Sequence, residues 1–160
     1  MEIYDLNAKK VIEKLKARGY HISFAESCTG GLAVGRLVDI PDASRVLDAS
    51  FVTYANEAKI KYLGVNEGTI AEYGVVSEEV AGEMAEGVAR ECSAEVGVGI
   101  SGIAGPTGAT ASKPIGMVCF GFYINGALYT YTKQFGEIGR TAVRLASVDF
   151  VYEKLNEFLA

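Results

Sequence analysis

The stretch Tyr20-His21-Ile22-Ser23-Phe24-Ala25-Glu26-Ser27-Cys28-Thr29-Gly30-Gly31 decides the fold class. It runs from a short apolar strand over residues 21–25 into a glycine-bearing loop. A helix over residues 29–40 is expected to open directly from that loop. The stretch Val96-Gly97-Val98-Gly99-Ile100-Ser101-Gly102-Ile103-Ala104-Gly105-Pro106-Thr107-Gly108 repeats the first half of this pattern, with a strand over 96–101. Strand ends are where ligands bind in α/β proteins. Glycines there let backbone N–H groups turn toward an anion, and hydroxyls add further donors. Two such loops point to a polar, phosphorylated ligand, and Ser27 stands where a nucleophile can act.

Working outward, residues 5–18 carry Leu6, Val11, Ile12 and Leu15 at helical spacing, and Gly19 supplies a stop. Pro41-Asp42 ends the helix expected over 29–40. Residues 43–47 read as a short helix or turn, and 49–54 as a β-rich strand. Helices are expected over 56–63, stopped by Gly64, and over 66–73. Ser77 is the N-cap expected for a helix running to about Cys92, with Glu78 and Glu79 in its first turn. The serial glycines of 96–101 predict close approach by neighbouring backbone. Strands over 117–124 and 128–135 meet at Asn125-Gly126, a strong hairpin signal. A helix over 139–159 closes the chain. This order predicts an α/β fold with a mixed sheet and helices on both faces.

The chain has 160 residues, the length of one domain, and 49% of them are hydrophobic, enough for a core. The net charge of −5 argues against general nucleic-acid binding, which needs a basic face. The apolar runs are too short for a membrane span. Met1-Glu2-Ile3-Tyr4-Asp5 lacks the features of a signal peptide. Cys28, Cys92 and Cys119 have no metal-like spacing and read as reduced thiols in a cytoplasmic protein. The one histidine, His21, excludes most multi-histidine metal sites and reads as a surface or strand-edge residue.

Taken alone, Ser27 reads as a helix cap, a role for which Thr29 competes; a serine nucleophile needs a base beside it. Phe51-Val52-Thr53-Tyr54-Ala55-Asn56-Glu57-Ala58-Lys59 spans a strand–helix corner that can point Tyr54 and Lys59 into one crevice. A partly buried, neutral lysine serves as a general base, and a tyrosine hydroxyl relays a proton or holds an oxyanion. Read alone, Lys59 is a solvated helix lysine and Tyr54 a half-buried sheet residue. The long loop after Ser101 is either an ordinary surface loop or a cradle for ribose and phosphate. It matches neither a Walker A loop nor the dinucleotide fingerprint. Arg140 and Arg144 share a helix face and are either a phosphate site or a solvated basic face. Cys28, beside Ser27 at an expected helix start, is a position that lowers a thiol pKa; it is read as a packing residue.

Together, four blocks resemble the C-terminal domain of the CinA (competence/damage-inducible) proteins, a family that includes stand-alone nicotinamide-nucleotide amidases. They are residues 25–31, residues 51–59, Gly74-Val75-Val76-Ser77-Glu78-Glu79-Val80, and Ser101-Gly102-Ile103-Ala104-Gly105-Pro106 leading to Lys113-Pro114-Ile115-Gly116. The resemblance covers nearly the whole chain and implies a single three-layer α/β/α domain and usually a homo-oligomer. It also implies hydrolysis of nicotinamide mononucleotide to nicotinate mononucleotide and ammonia in pyridine nucleotide recycling, with no metal or cofactor. By the same resemblance Ser27, Tyr54 and Lys59 are catalytic.

On this reading Lys59, directly or through Tyr54, removes the Ser27 proton, and N–H groups at 28–30 hold the oxyanion. Substrate-binding positions are then Glu26, Cys28, Thr29, Gly30, Gly31, Asn56, Ser101, Gly102, Ala104, Gly105, Thr107, Arg140 and Arg144. Residues 108–112 depart most from the family pattern. Many family members carry an N-terminal domain resembling molybdopterin-binding proteins; this sequence does not contain it, and no pyrophosphatase activity is expected. The alternatives are a nucleotide-binding module without turnover and a serine–lysine amidohydrolase acting on another amide. An interaction role in competence or DNA-damage responses rests on the family name alone.

Overall fold

A computed structural model describes residues 5–160; the N-terminal segment read above for a signal peptide lies, up to Tyr4, outside them. Helix α1 (Leu6–Arg18) starts where the Asp5 carboxylate accepts the Ala8 N–H at 2.9 Å, and ends at Gly19 with φ +68°. Strand β1 (Ile22–Glu26) follows, then helix α2 (Leu32–Val38), strand β2 (Phe51–Val52), and helices α3 (Asn56–Leu63) and α4 (Glu67–Tyr73). Helix α5 (Glu78–Glu91) opens at Ser77, whose hydroxyl accepts the Val80 N–H. Strands β3 (Val96–Gly102), β4 (Met117–Ile124) and β5 (Ala127–Gln134) lead to helix α6 (Arg140–Phe158).

The strands form one mixed sheet in the order β2-β1-β3-β4-β5. β1, β2 and β3 run parallel, and β4 and β5 return as an antiparallel hairpin through Asn125-Gly126, both at positive φ. β1 lies in the middle of the parallel trio and is buried on both faces, as its unbroken apolar run requires. Ile22 and Phe24 pack with Val11, Leu15, Val151, Tyr152 and Leu155 of α1 and α6. Ala25 faces the other way, toward Leu63, Val80, Met84 and Val88 of α3 and α5. The result is an α/β fold with helices on both faces of the sheet.

α5 lies directly on the sheet because the strands beneath it have no side chains in its path. A Cβ at Gly97 or Gly99 would sit 2.2 Å from the Ala85 or Ala81 carbonyl oxygen, and one at Gly121 2.3 Å from that of Ala81. The close approach read from the serial glycines is therefore a contact with helix backbone.

Two expected elements differ. The helix placed over 29–40 begins only at Leu32, because Gly30 (φ +59°) and Gly31 (φ +104°) hold left-handed turn geometry ahead of it. The strand placed over 49–54 is only two residues long. Ser50 meets β1 with its hydroxyl, which accepts the Phe24 N–H at 2.9 Å, instead of its backbone. The Thr53 N–H to the Glu26 carbonyl is the last rung before the chain turns into α3.

Candidate active site

β1, β2 and β3 are parallel, so their carboxyl ends open on one edge of the sheet. β1 has β2 on one side and β3 on the other, which makes its end the point where successive connections diverge. Ser27 follows β1 and Thr53-Tyr54 follow β2. The segment from Ile103 to Pro106 follows β3.

Lys59 sits on the first turn and a half of α3 and is 1% exposed. Its Nζ lies 3.2 Å from Ser27 Oγ, 2.7 Å from the Thr53 carbonyl oxygen and 3.4 Å from that of Tyr54. Burial pushes its pKa below the usual lysine range, opposed only by the Cys28 thiol. No carboxylate is among these partners, so nothing in the set favours the ammonium as an ion pair would. A neutral amine has two N–H donors and one lone pair. Two carbonyls and one hydroxyl fit the three donors of the ammonium and equally the two N–H groups and lone pair of the neutral amine that the lowered pKa makes accessible. As the ammonium, Nζ donates to Ser27 Oγ; in the neutral amine, with its N–H groups on the Thr53 and Tyr54 carbonyls, the lone pair is left for the Ser27 hydroxyl. Ser27 itself is half-buried and open to a ligand.

The Tyr54 hydroxyl does not stand between Lys59 and Ser27. It accepts from Arg140 Nη2 at 2.9 Å, and the residue is 61% exposed. The direct lysine–serine contact therefore replaces the relay through Tyr54. What Tyr54 joins is Lys59 and a neighbouring cavity. Its carbonyl touches Lys59, and its hydroxyl touches Arg140 at the rim of a cavity of about 250 Å3. Ala104, Gly105, Pro106, Ile115, Glu137 and Arg140 line that cavity. Arg140 Nη1 also donates to the Gly105 carbonyl at 2.9 Å.

Several positions read as substrate ligands are committed to the protein instead. Glu26 is fully buried; its carboxylate accepts the N–H groups of Gly31 at 3.2 Å and of Ala33 and Val34 at 2.9 Å. It thus caps α2 from the end of β1 and has no free oxygen facing a ligand. Ser101 is 1% exposed and donates to the Val75 carbonyl at 2.8 Å, tying β3 to the segment ahead of α5. Gly102 packs against Val118, where a Cβ would meet Cγ2 at 2.7 Å. Arg144 donates from Nε to the Cys28 carbonyl at 2.8 Å and from Nη2 to that of Thr29 at 3.1 Å.

Cys28 is buried, and burial pushes its thiol up to about 11, so the lowering expected at a helix start does not occur. Asn56 is exposed at the first position of α3, and Thr107 is exposed in the loop after β3. Ala104 and Gly105 line the cavity. His21 pairs with Asp48 at 2.8 Å, at the opposite end of β1 from Ser27. Among the described residues no three His, Cys, Asp or Glu side chains group as metal ligands, and no helix is long and apolar enough to cross a membrane.

Sequence reasoning missed the part played by Thr53, whose backbone carbonyl makes the shortest contact to Lys59. Its side chain carries no signal of this, because the carbonyl is common to every residue type. The Thr29 and Thr53 hydroxyls, both buried, have no hydrogen-bond partner among the described residues.

The sequence matches the CinA C-terminal domain family over residues 5–159. A protein of Enterobacter agglomerans named nicotinamide-nucleotide amidohydrolase PncC is 48% identical over 147 residues, covering 91% of this chain and 89% of that protein. A CinA-like protein of Kosmotoga olearia is 42% identical over 149 residues, 91% of this chain but 36% of its own length. Against this and three similar relatives, the chain spans 28–36% of their length. The competence/damage inducible protein CihA of Agrobacterium tumefaciens superimposes with a TM-score of 0.91 at 39% identity, covering 97% of each chain. A CinA-superfamily protein of Enterobacter cloacae gives 0.93 at 29% identity over 100% of this chain and 98% of its own. The agreement in sequence over nearly the full length, and in backbone with solved members, shows that this chain belongs to the CinA C-terminal domain family.

Proposed function

We propose that this chain is a metal-independent amidase that converts nicotinamide mononucleotide to nicotinate mononucleotide and ammonia. The observation that carries the reading is the buried, depressed-pKa Lys59 amine 3.2 Å from the Ser27 hydroxyl at the carboxyl ends of the parallel strands. The near full-length similarity to a named nicotinamide-nucleotide amidohydrolase supplies the substrate.

Ser27 Oγ attacks the carboxamide carbon while its proton passes to the Lys59 amine. The carbonyl π bond opens, and the oxyanion takes the N–H groups of Cys28 and Thr29, neither of which another described residue accepts. The Lys59 ammonium then returns its proton to the amide nitrogen, the C–N bond breaks and ammonia leaves. Water, deprotonated by Lys59, attacks the remaining ester; the acyl C–Oγ bond breaks, Lys59 returns the proton to Ser27 Oγ and nicotinate mononucleotide is released. Ribose and phosphate take the cavity beside Tyr54, where Arg140 supplies the guanidinium.

Because the reactive form of Lys59 is the neutral amine, turnover rises with pH through the lysine pKa. The lowered pKa brings that rise below 10.5. The setting proposed is cytoplasmic and the assembly homo-oligomeric, as the family resemblance implies.

The test is ammonia release from nicotinamide mononucleotide in the presence of EDTA, with free nicotinamide and glutamine alongside. Turnover of the mononucleotide alone supports the reading. Calorimetric binding without ammonia release replaces it with a non-catalytic nucleotide module. Release from glutamine alone assigns a different amide substrate.

A further inference from the structure

The hydrogen bonds of the turn after β1 can be followed donor by donor. The Ser27 N–H goes to the Ile100 carbonyl, that of Gly30 to the Ser27 carbonyl, and that of Leu32 to the Thr29 carbonyl. The N–H groups of Gly31, Ala33 and Val34 go to the Glu26 carboxylate. Only Cys28 and Thr29 keep N–H groups that no other described residue accepts, that of Cys28 facing its own thiol. Buried backbone donors are normally paired, so two free ones beside a nucleophile mark a place for an anionic oxygen.

What aims the Thr29 N–H lies 115 residues away in sequence, on α6. A trans peptide unit points its C=O and N–H in opposite directions. The Cys28 carbonyl and the Thr29 N–H belong to one such unit. Arg144 Nε holds that carbonyl at 2.8 Å, so the Thr29 N–H is turned away from Arg144. Arg144 Nη2 holds the next carbonyl, that of Thr29, at 3.1 Å, which stops the pair of peptide units from rotating. Gly30 makes room for this grip, since a Cβ there would stand 3.1 Å from Arg144 Nη2.

The geometry points to Arg144 as a positioning residue that orients the Thr29 amide toward the developing oxyanion by gripping the Cys28 and Thr29 carbonyls. This inference rests on the acyl-transfer chemistry proposed above and deepens it. It departs from the phosphate role that the shared helix face of Arg140 and Arg144 suggested. Each arginine spends two donors on the protein, Arg144 on the turn and Arg140 on the Gly105 carbonyl and the Tyr54 hydroxyl, but of the two only Arg140 lines the cavity.

The two roles leave different kinetic signatures. A residue that sets an oxyanion donor acts on the transition state, so its loss lowers kcat and leaves KM alone. Loss of a phosphate ligand raises KM and erases the preference for the mononucleotide over its riboside. Arg144→Met and Arg144→Lys are measured for both parameters on nicotinamide mononucleotide and on nicotinamide riboside, with circular dichroism as the fold control. The expected result for Arg144→Met is a fall in kcat of about 10- to 100-fold, with KM and the phosphate preference kept. Arg144→Lys, which reaches one carbonyl and not both, recovers part of the loss.

The same proteins are also reacted with a fluorophosphonate. Ser27 Oγ forms a bond to phosphorus, the P–F bond breaks, fluoride leaves and the proton goes to Lys59. This labelling reads the nucleophile and its oxyanion donors without any nicotinamide substrate. Slowed labelling of folded Arg144→Met supports the inference even if wild type leaves the mononucleotide intact, a result that would sink only the substrate assignment. Equal labelling rates in wild type and Arg144→Met, a KM effect alone, or a wild type that takes no label at Ser27 overturns it.

Discussion

The two loops at the carboxyl edge of the sheet are built in opposite ways. The turn from Ser27 to Gly31 is gripped from both sides: the Glu26 carboxylate takes its outgoing N–H groups and Arg144 takes two of its carbonyls. The loop after β3 is exposed from Pro106 to Ser112 and is held by a few side chains. Ser101 ties its start to Val75, Arg140 reaches the Gly105 carbonyl, and the Lys113 ammonium holds the Tyr73 and Val76 carbonyls. The difference teaches a division of labour. On the proposed function, the turn assigned to the chemistry is preorganised, where small displacements are costly, and the loop assigned to the rest of the substrate stays open to solvent.

The comparison breaks most completely at Ser27. Ser27→Ala should lower kcat by about 10^6-fold while thermal unfolding stays within a degree or two of wild type. A substantial rate left in that variant removes Ser27 as nucleophile. Lys59→Met comes next, with a loss of about 10^2- to 10^4-fold.

Lys59→Met also carries a stability signature. The folded pKa of Lys59 lies below its unfolded value, so between those two values the unfolded chain binds more protons. Wild-type stability therefore rises with pH across that window, and the variant, lacking the amine, should not share the rise. Denaturant midpoints at stepped pH check this; parallel curves for the two proteins would refute a depressed Lys59.

Glu26→Gln sharpens the contrast from beneath the turn. An amide offers one acceptor oxygen where the carboxylate offers two, so at least one N–H of α2 loses its partner. The expected cost is about 2 kcal/mol in urea unfolding, with a drop in kcat larger than any change in KM. On the other side of the site, Arg140→Ala should raise KM for the mononucleotide by about 10-fold and leave kcat within a few-fold, because a charged hydrogen bond to phosphate is lost. A kcat effect without a KM effect would place Arg140 with the chemistry instead. The smallest change is expected from Lys113→Met, about 1 kcal/mol of stability and a KM shift of a few-fold. A large kcat loss there would show that the loop after β3 is as constrained as the turn after β1.

Much of the frame was legible in the chain because local rules acted alone. Gly19 stops α1, Ser77 starts α5, and Asn125-Gly126 turns the hairpin. The start of α2 was not legible, since Thr29 has a capping side chain but two left-handed glycines and a carboxylate from the preceding strand override it. β2 was read too long for a similar reason: its β-rich composition does not reveal that Ser50 meets β1 through its hydroxyl.

The sequence by itself determined the strand–loop–helix order, the hairpin, the nature of Ser27 and Lys59 and the family blocks around them. These depend on residue type, periodicity and near neighbours. Only the tertiary structure decided that Lys59 meets Ser27 directly, that Tyr54 turns to Arg140, and that Glu26, Ser101 and Arg144 serve the frame. The Tyr54–Arg140 contact joins side chains 86 residues apart, and the others depend on burial or on backbone carbonyl and N–H groups supplied by other segments. Every residue carries such groups, so a sequence cannot mark which of them will be used.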